Sequence, residues 1–282
     1  MSDISISVHY DNAESTAVQL EVELHGEPIL FGQWDAVIRY RERTLSLDGP
    51  WTDLCTYHEN GCDYLEIDAP LTQDYRLQRF FLLDHKDRLL VLGDTVLRDE
   101  ESPKRSRSRK ATTGLSYEST LFHSGRLRSE NMSDSPGLVF AQGKTAPFFR
   151  VLPLALPERK TDDIVGMVQG DLRTKHSSLV LHQQSSGRSM FAPLFFDLDP
   201  GRCKKQPFWR SLTVGENLKR VPDDQAVGYR IQLGDEQYLL YHSMTPPANR
   251  TVLGHNLTDD LCFARFTPKN GVETLVEVQQ EF

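Results

Sequence analysis

The chain has 282 residues, 38% hydrophobic and 26% charged, which excludes a disordered polymer and supplies enough apolar surface for a core that needs neither disulfide nor metal. Its 32 Lys and Arg against 40 Asp and Glu give a net charge of −8, which disfavours nucleic acid or an anionic membrane as a partner. Residues 1–24 show no basic start followed by an apolar stretch, and nowhere do 18 apolar residues run together, so the expectation is a cytoplasmic protein with no membrane association.

The first element is the clearest. Val18, Leu20, Val22 and Leu24 alternate with Gln19, Glu21 and Glu23, the period of two that gives a strand one wet face. Short runs rich in β-branched and aromatic residues follow at about 35–47, 62–68, 75–83, 88–96, 115–122, 138–141, 148–154, 164–169, 178–183, 189–197, 227–233, 236–243, 261–267 and 272–279. Asp84-His85-Lys86-Asp87, Gly234-Asp235 and Pro268-Lys269-Asn270-Gly271 each separate two such runs and predict hairpins. Residues 71–92 contain neither Gly nor Pro, and a helix with a broad apolar face is the rival reading there. Between Leu97 and Leu115 no large apolar residue occurs, which predicts a mobile basic loop at 98–114; residues 124–136 and 198–206 read as further polar connections. The expected fold is all-β: one domain over 1–282, a large antiparallel two-sheet β-sandwich with few or no helices.

Several clusters are candidates for function. Lys104, Arg105, Arg107, Arg109 and Lys110 could dock an acidic partner, although Asp99, Glu100 and Glu101 just before them offset the field. Cys55, His58 and Cys62 are three soft-metal ligands in a short stretch, but a closed zinc site needs four. Cys55, Cys62, Cys203 and Cys262 read as free thiols, and no metal or cofactor is expected. The segment 241–256 gathers His242, Arg250 and His255 around a Pro-Pro loop, and Trp209-Arg210 adds an aromatic ring and a planar donor. These five form the expected ligand-binding set. Trp34 and Trp51 bracket a strand run with Asp53 and Glu66 beyond it, two carboxylates whose relation spacing alone does not define. No nucleophile elbow, Walker loop, H-E-x-x-H or G-x-G-x-x-G occurs, and catalytic residues are not assigned.

One resemblance enters at Tyr64-Leu65-Glu66-Ile67, Leu77-Gln78-Arg79-Phe80-Phe81-Leu82-Leu83 and Leu89-Leu90-Val91-Leu92-Gly93-Asp94-Thr95-Val96. The order, an Arg-bearing strand before a hairpin that ends in an Asp, resembles the β-sandwich domain of heparinase II/III-like polysaccharide lyases. In that family the sandwich packs on an α/α toroid, and Tyr and His residues cleave the glycan between the two parts. No toroid is read in this sequence, and no catalytic Tyr or His carries over. The resemblance implies a noncatalytic carbohydrate-linked sandwich that binds a glycan or a catalytic protein partner. An interaction scaffold using the 104–110 loop, and a carbohydrate-active lyase or hydrolase, are the alternatives.

Overall fold

The computed structural model describes residues 4–10, 15–99, 114–124, 127–130, 138–141, 149–157, 168–267 and 271–279. The basic run 104–110, nearly all of the expected 98–114 loop, the turn residues 268–270 and most of the 124–136 connection lie outside them.

The first strands are β1 (Ile4–His9), β2 (Val18–Leu24), β3 (Glu27–Tyr40), β4 (Arg43–Leu45), β5 (Thr52–Glu59), β6 (Cys62–Leu71), β7 (Tyr75–Asp84), β8 (Leu89–Arg98) and β9 (Leu115–His123). Then come β10 (Leu127–Glu130), β11 (Leu138–Ala141), β12 (Arg150–Pro153), β13 (Val168–Lys175), β14 (Ser178–Ser185) and β15 (Met190–Asp197). A single 3-10 turn, Arg202–Lys204, is the only helical element among the described residues. The last strands are β16 (Pro207–Leu212), β17 (Gly215–Glu216), β18 (Lys219–Arg220), β19 (Ala226–Leu233), β20 (Glu236–Ser243), β21 (Arg250–Val252), β22 (His255–Leu257), β23 (Leu261–Thr267) and β24 (Gly271–Val278).

The all-β antiparallel sandwich expected from the sequence is the architecture seen, built from four sheets where two were expected. A seven-stranded sheet runs β1-β2-β3-β9-β14-β13 with β4 beside β3, and an eight-stranded sheet runs β10-β11-β12-β15-β8-β7-β6-β5. A five-stranded sheet, β16-β19-β20-β23-β24, and a small four-stranded one, β18-β17-β21-β22, complete the set.

Three cores lie between these layers. The first joins the seven- and eight-stranded sheets through Trp34, Ile38, Phe81, Leu92 and Phe196. The second joins the opposite face of the eight-stranded sheet to the five-stranded one through Tyr64, Phe80, Val91, Phe195, Trp209 and Phe263. The third, around Val214, Tyr241 and Val252, seats the small sheet. The eight-stranded sheet is therefore covered on both faces, and this explains the rival helix reading. A strand buried on both sides shows a continuous apolar run in place of alternation. RFFLLD on β7 and LLVLGDTV on β8 are buried throughout.

Most expected strands lie where they were placed. The 84–87 hairpin closes between Asp84 and Leu89, and Gly234-Asp235 forms a two-residue loop with Gly234 at φ +65°. β5 and β16 were not among the expected strands, and β10 lies within 124–136, which the sequence suggested as a polar connection. β5 is an exposed edge strand with a bulge between Asp53 and Cys55, and Thr, Asp, His or Glu at five of its eight positions hides its periodicity.

Candidate functional site

Side chains of β7 point alternately to the first and second cores. On the second-core side, Leu82 and Phe80 are packed into the apolar cluster, whereas Gln78 and Arg76 line an open cleft. Gln78 stands opposite Asp68 on β6 and Thr95 on β8, so the central sheet carries a polar row at this level. The change in character follows the extent of the covering sheet. β20 ends at His242-Ser243, the chain leaves through Met244-Thr245-Pro246, and the central sheet beyond that point is open.

The cleft encloses about 330 Å³, at the small end of ordinary ligand pockets. Leu54, Leu97, Met244 and Pro246 give it apolar walls, and Arg76, Gln78 and His242 give it directed polar groups. Arg76 holds Asp68 through Nε, 3.0 Å from Oδ1, and through Nη2, leaving Nη1 outside the pair. Arg98 also borders the cleft, but its guanidinium lies 5.9 Å from the centre of the Tyr75 ring, on the face of the sheet turned to the first core. Burial pushes the Asp68 carboxyl up, with Arg76 pulling it the other way.

His242 is 3% exposed. Its Nε2 lies 2.9 Å from Thr95 Oγ1, its ring is 4.6 Å from that of Phe191, and Nδ1 has no hydrogen bond of good geometry. Burial drives its pKa down to about 4, against a weaker upward pull from the Asp260 backbone. At neutral pH the imidazole is uncharged, a state that suits hydrogen bonding to a neutral polar ligand.

The expected binding residues divide. Trp209 is 1% exposed inside the second core, and its Nε1 donates to the Leu156 carbonyl at 2.9 Å. This corrects the expectation of a sugar-stacking ring, because the indole has no free face. Arg250 is also buried and spends its donors internally: Nε on Glu216 at 3.2 Å, Nη1 on Ser243 Oγ at 2.7 Å, Nη2 on Thr245 Oγ1 at 2.5 Å. It braces the cleft wall from behind. Arg210 is exposed on β16, and His255 on β22 sits 6.4 Å from the Phe266 ring; neither lines the cleft. Only His242 of the five does.

Sequence reasoning missed Arg76 and Gln78. Their signal is the polar pair at two-residue spacing on one face of β7, legible only once both faces of that strand are known to be occupied. Cys55, His58 and Cys62 are not gathered: Cys55 pairs with Glu66 across β5 and β6, His58 Nδ1 lies 3.0 Å from Asp63 Oδ1, and Cys62 is buried with its thiol pushed up to about 12. Among the described residues no group of three His, Cys, Asp or Glu is arranged to hold a metal.

Arg79 and Asp94, partners across β7 and β8, form a bidentate ion pair at 2.7 and 2.8 Å with no exposure on either side. Arg79 Nη1 also donates to the carbonyls of Trp34 and Thr16 at 2.8 and 3.0 Å, Tyr117 donates to Asp94 at 2.7 Å, and the guanidinium lies 4.0 Å from the centre of the Trp34 ring. The pair ties the two large sheets together and has no face open to a ligand.

No protein-family model matches the sequence, and no curated protein matches it. Solved structures do. The chain is similar in part to heparinase III. One heparinase III structure aligns at 7% identity with a TM-score of 0.49 over 80% of this chain and 35% of that one. The heparan sulfate lyase HepC from Pedobacter heparinus aligns at 11% identity and 0.49 over 80% and 36%, and the heparinase III BT4657 gene product at 10% and 0.49 over the same shares. The chain thus spans about a third of the length of the structures it matches. The resemblance read from the sequence returns as this partial likeness.

Proposed function

We propose that the chain is a saccharide-binding β-sandwich module whose ligand enters the cleft between the central and five-stranded sheets, and that it binds without turnover. The observation that carries this reading is the lining itself. Apolar walls from Leu54, Leu97, Met244 and Pro246 suit the C–H faces of a sugar ring, and the Gln78 amide, the Arg76 guanidinium and a neutral imidazole suit its hydroxyls. His242, the residue best placed to act as a base, has a pKa near 4 and lies against a hydroxyl, which favours a fixed hydrogen bond over proton transfer at pH 7. Four free cysteines, three of them buried, suit a reducing cytoplasmic setting.

The test is a glycan array followed by titration calorimetry on the best ligand, with Gln78→Leu and His242→Phe as cleft variants and Arg210→Ala as a control. Losing one directed hydrogen bond costs about 1–2 kcal/mol, so each cleft variant is expected to weaken binding roughly 5- to 30-fold while the control binds as wild type. No glycan above background, or cleft variants with unchanged affinity, refutes the assignment. Appearance of an ultraviolet-absorbing unsaturated product on incubation refutes the noncatalytic part.

A further inference from the structure

Sheet edges expose unpaired backbone donors and acceptors, and proteins normally blunt them with charge, proline or bulges. Most long edges of this molecule are guarded. β5 carries a bulge and Asp53, β13 carries Asp171 and Arg173, β24 carries Glu273, and β16 begins with Pro207. β1 is the exception. Its sequence ISISVH holds no Asp, Glu, Lys, Arg, Pro or Gly, pairs with β2 without a bulge, and ends the seven-stranded sheet with no strand beyond it among the described residues. Ser5, Ser7 and His9 are exposed, while Ile6 and Val8 are only partly covered by the first core.

We propose that Ser5–His9 is the docking edge for a second copy of this chain, paired antiparallel about a two-fold axis at Ser7. Side chains in a strand alternate in facing, so only a register that pairs like-facing residues keeps both faces intact. The two-fold at Ser7 does so: Ser5 meets the partner's His9, Ile6 meets the partner's Val8, and the two Ser7 residues stand opposite each other. The apolar row is extended on the core side, and no like charges are opposed. Such an isologous contact closes on itself and joins two seven-stranded sheets into one. Five residue pairs bury less than the roughly 1,200 Å² of a standard interface, so the dimer is weak and depends on concentration.

Sedimentation equilibrium of the full chain tests this. The weight-average mass is expected to rise from monomer toward dimer with concentration, and Ser7→Lys, which opposes two like charges at the axis, is expected to raise the dissociation constant at least about tenfold with an unchanged circular dichroism spectrum. Ser7→Cys should form a disulfide-linked dimer on mild oxidation faster than Ser5→Cys or wild type, because only position 7 lies across from itself. A monomer at every accessible concentration overturns the proposal. So does Ser7→Lys associating as strongly as wild type, or cross-linking no faster at position 7 than at position 5.

Discussion

Arg79 shows how much one side chain can decide. Its pairing with Asp94 was legible as a cross-strand possibility from the order of strand, hairpin and acid, but its depth was not, since the sequence does not say that both faces of β7 are covered. Arg79→Met leaves a buried carboxylate without its counter-charge, and urea titration should show a loss of about 3–5 kcal/mol. Adding Asp94→Leu should return much of it; a double variant no more stable than the single one would sink the ion-pair explanation. Trp209 and Arg250 show the reverse problem. Residue types common in recognition serve packing here, and only burial separates the two uses. His242 gives a pH signature. Its folded pKa is near 4 against about 6.5 when unfolded, so between those values the unfolded chain binds more protons. Its contribution is fully present above pH 6.5 and is lost as pH falls toward 4, by up to about 3 kcal/mol. Asp84 and Asp197, whose pKa values burial raises, act in the opposite direction, so the comparison is with His242→Phe, which should flatten the wild-type slope across pH 4–6.5.

Elements were legible where one face is wet or a turn residue is decisive. β2 alternates without exception, and the 234–235 hairpin is set by Gly234 at positive φ. Legibility failed where an edge strand is polar along most of its length, as in β5, or where a strand is very short, as in β17, β18, β21 and β22, each two or three residues long. The central strands were visible as apolar runs, yet their second buried face was not, and with it the cleft stayed hidden. Gly93 on β8 is where that second face is tightest. A Cβ there would enter the van der Waals envelope of the Phe80 ring and come within 2.9 Å of Phe191. Gly93→Ala should therefore cost about 2 kcal/mol by overpacking, and Phe80→Leu in the same chain should recover part of it. A neutral Gly93→Ala in chemical denaturation would mean that the two rings have room to move.

At the scale of the whole molecule, one sheet shared by two large cores makes separate unfolding costly, because losing either partner sheet exposes a face of the eight-stranded one. The tryptophans divide between these cores: Trp34 and Trp51 lie in the first and Trp209 in the second. Fluorescence of Trp209→Phe, and of Trp34→Phe with Trp51→Phe, should each lose signal in a single transition that coincides with that variant's circular dichroism, as a single domain over 1–282 requires. Two separated transitions in either variant would divide the chain at the second core. The same layering puts the cleft where the covering sheet stops, and the methionines allow that placement to be read directly: Met244 lines the cleft and Met190 lies in the first core. In a spectrum of protein labelled with carbon-13 at its methionine methyl groups, saturating glycan should shift Met244 and leave Met190 in place. A bound glycan that leaves Met244 unmoved would contradict the assignment of the cleft.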